Sequence, residues 1–320
     1  MRISLKLFYT LIIFFGASKS SGQDMNPYTL VDNWLHTEGD TIPGRPAAVG
    51  IGLDNNVYVF HRAGREWTDP MPESKISKRT ILKLEASTGK VIDQWGENLF
   101  IMPHGIEIDS DNNIWVVDVA LHQVLKFNLT GALIFSIGEA RVPGNDSSHF
   151  NRPTDVAFGS DGSFYVSDGY INSRIVKYSS KGTYIREWGS KGKREGQFEI
   201  PHAIDTDSQE NVYVADRQNK RIQMFDKEGN FLKSWGDDSF GRVFSVAVDK
   251  KKNLLVASDV IETKEHARGE TGLIQINLKT GEIKKTKRVP GVYHDIGIDK
   301  DGNIFGADTL NKLIYKYTLN

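Results

Sequence analysis

The chain has 320 residues, 40 Lys and Arg against 41 Asp and Glu, a formal net charge of −1, and no cysteine. Charges of both signs are interspersed, which excludes a basic nucleic-acid-binding face. The absence of thiols excludes disulfides, thiolate catalysis and cysteine-held metals. With 30 Gly, 16 Phe and 11 Tyr, the composition suits many short strands joined by tight turns.

Residues 1–22 read as a secretory signal peptide. Arg2 and Lys6 precede a short apolar run over 7–16, and Ser20, Ser21 and Gly22 offer a cleavage point near Gly22/Gln23. That run is too short for a membrane span, and no other stretch is apolar enough. Loss of 1–22, which holds Arg2, Lys6 and Lys19 and no acid, takes the net charge from −1 to −4. A secreted or periplasmic protein is expected, with no lipoprotein anchor because no cysteine follows the signal. Such a chain has to be stable through its core alone. Residues 23–45, polar with scattered aromatics, form a lead-in segment.

From residue 46 a unit recurs six times: AAVGIGLDNNVYVFH (47–61), GIEIDSDNNIWVVD (105–118), RPTDVAFGSDGSFYVSD (152–168), PHAIDTDSQENVYVAD (201–216), FSVAVDKKKNLLVAS (244–258) and HDIGIDKDGNIFGAD (294–308). Each copy is two alternating strands around a polar turn. Further strands follow several copies, at 123–128 and 133–137, 174–178 and 184–188, and 221–225 and 231–235. The closing positions fall at 61, 118, 168, 216, 258 and 308. Four short strands per repeat of roughly 40–50 residues define propeller blades. The fold is therefore expected to be all-β, a six-bladed β-propeller over 46–320. The last copy lacks a fourth strand, so a segment within 27–34 is expected to complete it. Loops are expected at 64–78, 138–151 and 259–271.

His104, His202 and His294 occupy one column of the repeat, on the second, fourth and sixth copies. Alternate blades face the axis from directions about 120° apart in a six-fold ring. Three imidazoles meeting there would suit Zn²⁺ with one open position. The residues alone also allow polar side chains lining a wet channel. Arg62, Tyr170 and Arg217 stand just past closing positions, where they would crowd the same axis. Two guanidiniums suit a carboxylate, and a Tyr beside them can serve as a base; ordinary rim residues are the other reading. Asp295, directly after His294, offers a hard oxygen ligand suited to Ca²⁺ or is a solvated strand-start acid. Asp118, Asp168, Asp216 and Asp308 read as structural, holding backbone at the blade ends.

The runs NSRIVKY and NKRIQMF resemble NHL-type repeats. More specifically, MPHGIEIDSDNNIWVVDVALHQVLKF, HFNRPTDVAFGSDGSFYVSDGYINSRIVKY, IPHAIDTD with VYVADRQNKRIQMF, and YHDIGID resemble the peptidyl-α-hydroxyglycine α-amidating lyases over roughly residues 46–318. The resemblance implies Zn²⁺ on His104, His202 and His294. It also implies a structural Ca²⁺ on Asp295 and the backbone carbonyls of Ile51 and Ile106. Tyr170 would be the base, Arg62 would hold Tyr170 and the substrate carboxylate, and Arg217 would support the same pocket. The reaction would be that of a carbon–nitrogen lyase, splitting a C-terminal α-hydroxyglycine, in a small peptide or an N-acyl analogue, into an amide and glyoxylate. A separate hydroxylating monooxygenase would supply the substrate, and the lyase would act as a monomer.

The sequence departs from the family in places. Ile171 and Met224 stand where animal members carry Cys, the turn before Arg62 is shorter, and Val292-Tyr293 replaces the usual Met-Pro ahead of the last His. Two rival functions remain at this level. One is a non-catalytic NHL propeller that binds a partner through its loops. The other is a metal-dependent propeller lactonase or streptogramin-type lyase, against which the all-histidine column argues.

Overall fold

A computed structural model describes residues 28–35, 44–237, 239–264 and 269–319. The signal-peptide assignment over 1–22 and much of the lead-in lie outside the described residues. The architecture is six antiparallel sheets in a ring, a β-propeller, with no helix among the described residues.

Blade one is built from Pro46–Ile51, Val57–His61, Ile81–Leu84 and Val91–Trp95. Blade two follows with Pro103–Ile108, Ile114–Asp118, Gln123–Phe127 and Leu133–Ile137. Blade three holds Asp155–Phe158, Phe164–Asp168, Arg174–Tyr178 and Tyr184–Trp188. Blade four holds Pro201–Thr206, Val212–Asp216, Arg221–Phe225 and Phe231–Trp235. Blade five holds Arg242–Asp249, Leu254–Ile261, Glu270–Asn277 and Ile283–Lys285, with Val289–Pro290 added beside its third strand. Blade six is Tyr293–Ile298, Ile304–Asp308 and Leu313–Leu319, completed by Tyr28–Leu30 from the other end of the chain. Tyr28 pairs with Leu319 and Leu30 with Tyr317, so the expected N-terminal strand closes the ring.

The first strand of every blade touches the first strands of both neighbours, which makes these six the inner wall of an axial channel. Apolar clusters fill each space between consecutive blades. Between blades one and two, ten buried side chains including Phe60, Phe100 and Phe127 interlock. At roughly 2 kcal/mol per buried side chain, one such interface gains about 20 kcal/mol before conformational entropy is counted. A disulfide contributes about 2–4 kcal/mol, so six such interfaces make cysteine dispensable.

Two loop expectations hold and one is corrected. The connections 62–80 and 138–154 are long and lie outside the named strands. Of 259–271, residues through Ile261 and from Glu270 onward are strand, because blade five has eight-residue strands and pairs Ile261 with Glu270. The closing acid of blade five is accordingly Asp259, not the position of Ser258. Asp259 pairs with Val243 as Asp118 pairs with Pro103, and its Oδ2 accepts from Gly241 N–H at 2.7 Å.

The structural reading of the repeat Asp is supported by geometry. Asp118 is fully buried and accepts four backbone N–H groups, from Ile101, Met102, Ala120 and Leu121, at 2.6–2.9 Å. This acid ties the entry to a blade's first strand to the exit from its second.

Candidate metal and catalytic site

The inner strands carry a β-bulge in five of the six blades. The pairing of first to second strand skips one residue after Pro46, Pro103, Pro201, Val243 and Tyr293. The skipped residues are Ala47, His104, His202, Phe244 and His294. A bulge turns two consecutive residues toward one side. A cavity of about 10 Å³ on the axis is lined by three such pairs, His104/Gly105, His202/Ala203 and His294/Asp295, and by Thr154/Asp155 from the unbulged blade three.

The three imidazoles form a near-equilateral triangle, with ring centroids 4.5, 4.7 and 4.8 Å apart. Each offers a nitrogen within 4.8 Å of the others. Each Nδ1 lies 2.7 Å from the carbonyl of the next blade, namely Thr154, Phe244 and Ala47 for His104, His202 and His294. A carbonyl can only accept, so every Nδ1 carries the hydrogen and every Nε2 presents a lone pair. Burial first, then the Arg217 charge on all three, Arg62 on His104 and His294, and neighbouring imidazoles on His104 and His202, push all three far below the usual histidine range. They are neutral at neutral pH.

Tyr170 hydroxyl lies 2.9 Å from Nε2 of His104 and 3.1 Å from Nε2 of His202. It has one hydrogen to share between two lone pairs, and the Nε2 of His294 has no donor among the described residues. Three lone pairs converging with one proton between them is a donor set that fits a divalent cation.

The structure also places the three residues chosen at the strand exits. Arg62 and Arg217 each follow a closing residue, and their backbone N–H groups bond Arg45 O and Ile200 O at 3.1 Å. Tyr170 is two residues past its closing Asp168, yet its N–H bonds Arg152 O at 3.2 Å in the same backbone slot. Gly169 absorbs the extra residue. A Cβ there would sit 2.0 Å from the Pro201 carbonyl, so only glycine permits this approach.

Arg62 is buried, donates Nε–H to Pro103 O at 3.0 Å, and leaves Nη2 without a partner. Burial lowers its pKa, against the opposing influence of Tyr170. Arg217 reaches Tyr170 hydroxyl with Nη1 at 3.4 Å, leaves Nε unpartnered, and lies 5.0 Å over the Phe244 ring. Neither guanidinium has an ion-pair partner among the described residues.

Further along the inner strands, away from these arginines, the channel is acidic. Glu107, Asp155, Asp205 and Asp295 all have carboxyl groups raised above their usual range, first by burial. Lys250 is the cation that offsets Glu107 and Asp205. Asp295 accepts from Val49 N–H at 3.0 Å and Ser245 hydroxyl at 2.6 Å. Val49 stands two residues past its bulge, as Ile106 does. Ile51 lies two further on and lines a separate cavity of about 130 Å³ with Glu107 and Asp205. Val49 lines that cavity too, and its N–H is what Asp295 accepts.

Sequence reasoning passed over Asp155, Asp205 and Glu107. Asp155 had a readable signal, since Thr154-Asp155 aligns with His294-Asp295 in the repeat. Trp67 was also missed. It lies on the 62–80 connection, 4.7 Å from the Tyr170 ring and 5.5 Å from the Arg62 guanidinium carbon. A cavity of about 590 Å³ lies off the axis beside His61, Lys78 and Lys312, and reaches none of the three imidazoles.

Fold and site together define a six-bladed propeller with a buried cluster of three histidines able to hold a metal ion. The NHL repeat family model matches residues 150–178. The chain is 36% identical over 321 residues to peptidyl-glycine α-amidating monooxygenase A of Xenopus laevis, covering 90% of this chain and 34% of that protein. It is 32% identical to a probable peptidyl-α-hydroxyglycine α-amidating lyase of Caenorhabditis elegans, covering 82% of this chain and 79% of that one. A gluconolactonase of Xanthomonas campestris shares the fold at a TM-score of 0.62 and 11% identity, over 87% of this chain and 86% of its own. The chain belongs to the peptidyl-α-hydroxyglycine α-amidating lyase family. It spans about a third of the length of the amidating monooxygenases it matches.

Proposed function

We propose that this chain is an exported, metal-dependent lyase that cleaves the C–N bond of a C-terminal peptidyl-α-hydroxyglycine, giving a peptide amide and glyoxylate. The observation that carries the reading is the meeting of one phenol, two guanidiniums without ion-pair partners and three imidazole lone pairs at one end of the channel. The family's named lyases support the reaction class. The pattern over residues 1–22 supports export.

Arg62 and Arg217 bind the substrate carboxylate through the N–H groups that lack protein partners. This brings the carbinol carbon beside Tyr170, at the mouth of the imidazole cluster. Tyr170 takes the hydroxyl proton. The O–H electron pair becomes the second C–O bond of glyoxylate, the C–N bond breaks, and the amide nitrogen receives a proton from Tyr170. The two guanidiniums stabilise the phenolate form in which Tyr170 begins and ends each turnover. His104, His202 and His294 would hold Zn²⁺, which when bound supplies Lewis-acid polarisation of a substrate oxygen. The acidic stretch beneath, with Asp295 at its top, suits a structural Ca²⁺. The substrate comes from a separate hydroxylating monooxygenase.

The test is glyoxylate release from an α-hydroxyglycine-extended peptide by purified protein, before and after chelation and with Zn²⁺ returned. Release that is lost on chelation and restored by Zn²⁺ is expected. No release from protein shown to contain metal would refute this substrate.

A further inference from the structure

The connection between second and third strands is four residues in blades two, four and six (119–122, 217–220 and 309–312) but nineteen in blade one (62–80). This longer segment is fastened over its neighbours. Arg65 Nη1 donates to Ile101 O at 2.9 Å, Arg141 Nη2 to Glu73 O at 2.8 Å, and Arg152 pairs with Asp69 at 3.2 Å. Ile76 N–H bonds Phe100 O at 2.8 Å. The segment thereby bridges blades one, two and three and holds Trp67 against Tyr170. The indole also contacts the Arg62 guanidinium, yet is 37% exposed. A tryptophan fixed in place, touching two site residues and still open to solvent, is a surface prepared for a ligand.

We propose that Trp67 is a specificity-determining residue, the platform for the side chain of the residue that precedes the terminal hydroxyglycine. The inference rests on the lyase reading for the substrate's orientation. With the carboxylate on Arg62 and Arg217 and the hydroxyl at Tyr170, the acyl part leaves the site past the outer edge of Tyr170. The exposed apolar side chains there are Trp67 and, next in the chain to Tyr170, Ile171. An indole face favours an aromatic or large apolar side chain over glycine, through area burial and ring contact. The peptide class selected is therefore one with an apolar penultimate residue.

The test uses metal-loaded protein of the full chain, its metal content measured. Calorimetric binding of N-acetyl-Phe-Gly and N-acetyl-Gly-Gly reads the platform without turnover, and glyoxylate release from the corresponding hydroxyglycine compounds reads the reaction. The wild type is expected to prefer the Phe compound about tenfold in both measurements. Trp67→Phe should keep most of that ratio and Trp67→Ala should bring it close to one, with unchanged melting temperatures. A Phe preference that survives in Trp67→Ala overturns the proposal. So does equal or absent binding of both probes by the wild type. Turnover of both compounds lowered equally, at an unchanged ratio, also overturns it and makes Trp67 only a prop for Tyr170. Selective binding abolished by Trp67→Ala without any glyoxylate release supports the platform and refutes the lyase reading.

Discussion

Tyr170→Phe isolates the proton-transfer role because it removes one oxygen and leaves the ring. The ring is held on several sides, by Trp67 at 4.7 Å, His104 at 5.2 Å and His202 at 5.7 Å between centroids. The variant should therefore fold normally and leave the imidazole triangle in place. The hydroxyl contacts two histidine nitrogens and lies 3.4 Å from an Arg217 nitrogen, so no other phenol or carboxylate takes its position. Loss of a positioned general base costs roughly 10²–10⁴-fold in rate, or about 3–5 kcal/mol of barrier. KM should move by less than a few-fold, because the carboxylate contacts belong to Arg62 and Arg217. The assay is steady-state glyoxylate release, with metal content measured on the same preparations. A kcat within tenfold of wild type at equal metal content would refute the assignment of Tyr170 as the base.

Two stability predictions follow from buried charge. Arg174 is buried with Asp168, donates Nε–H to it at 3.0 Å, and also reaches Glu187 and the Asp146 and His149 carbonyls. Arg174→Ala leaves Asp168 buried without its cation and should cost about 3–5 kcal/mol in denaturant unfolding. Arg186→Ala, which removes the exposed Arg186–Glu228 pair, should cost less than about 1 kcal/mol. Equal costs would refute the distinction. His61 is buried, and burial lowers its pKa from 6.5 to about 4. The unfolded chain therefore binds the proton first. The stability from neutral His61 is complete above about pH 6.5 and is lost as pH falls toward 4, by up to roughly 3 kcal/mol. His61→Gln keeps an acceptor for the Ala63 N–H that His61 Nδ1 now receives. The difference in unfolding free energy between variant and wild type should shift in the variant's favour over that window, and a flat difference would refute the lowered pKa of His61.

The fold was legible because each blade repeats one physical solution, two alternating strands about a polar turn, and the period survives divergence. The histidine column was legible for the same reason. What escaped was whatever the bulge decides. A skipped residue turns His294 and Asp295 to the same cavity, which strict strand alternation forbids. Asp155, Asp205 and Glu107 lie on three different strands, so only the ring brings them together. The strand content of 259–271 was hidden because blade five lengthens its strands, and the closing acid moved from the place of Ser258 to Asp259. Trp67 has no periodicity to betray it, since a loop residue acquires meaning only from what the loop is fastened to.

The order of charges along the axis explains how the arginines stay available. Carboxylates and guanidiniums in one narrow channel would pair if they met, and a paired guanidinium cannot bind a substrate carboxylate with the same N–H groups. Here Arg62 and Arg217 come from the exits of second strands, while Asp155, Asp205, Asp295 and Glu107 lie further down the first strands. Between them lies the layer of three imidazoles. That layer separates the two signs only while it is neutral, because a protonated imidazole would repel the guanidiniums and pair with the acids. Burial keeps His104, His202 and His294 neutral, and the carbonyls on their Nδ1 atoms keep each lone pair on the axis. The bulge that places these histidines therefore has two effects: it aims three nitrogens at one point, and it leaves both guanidiniums of the opposite end free for an anion.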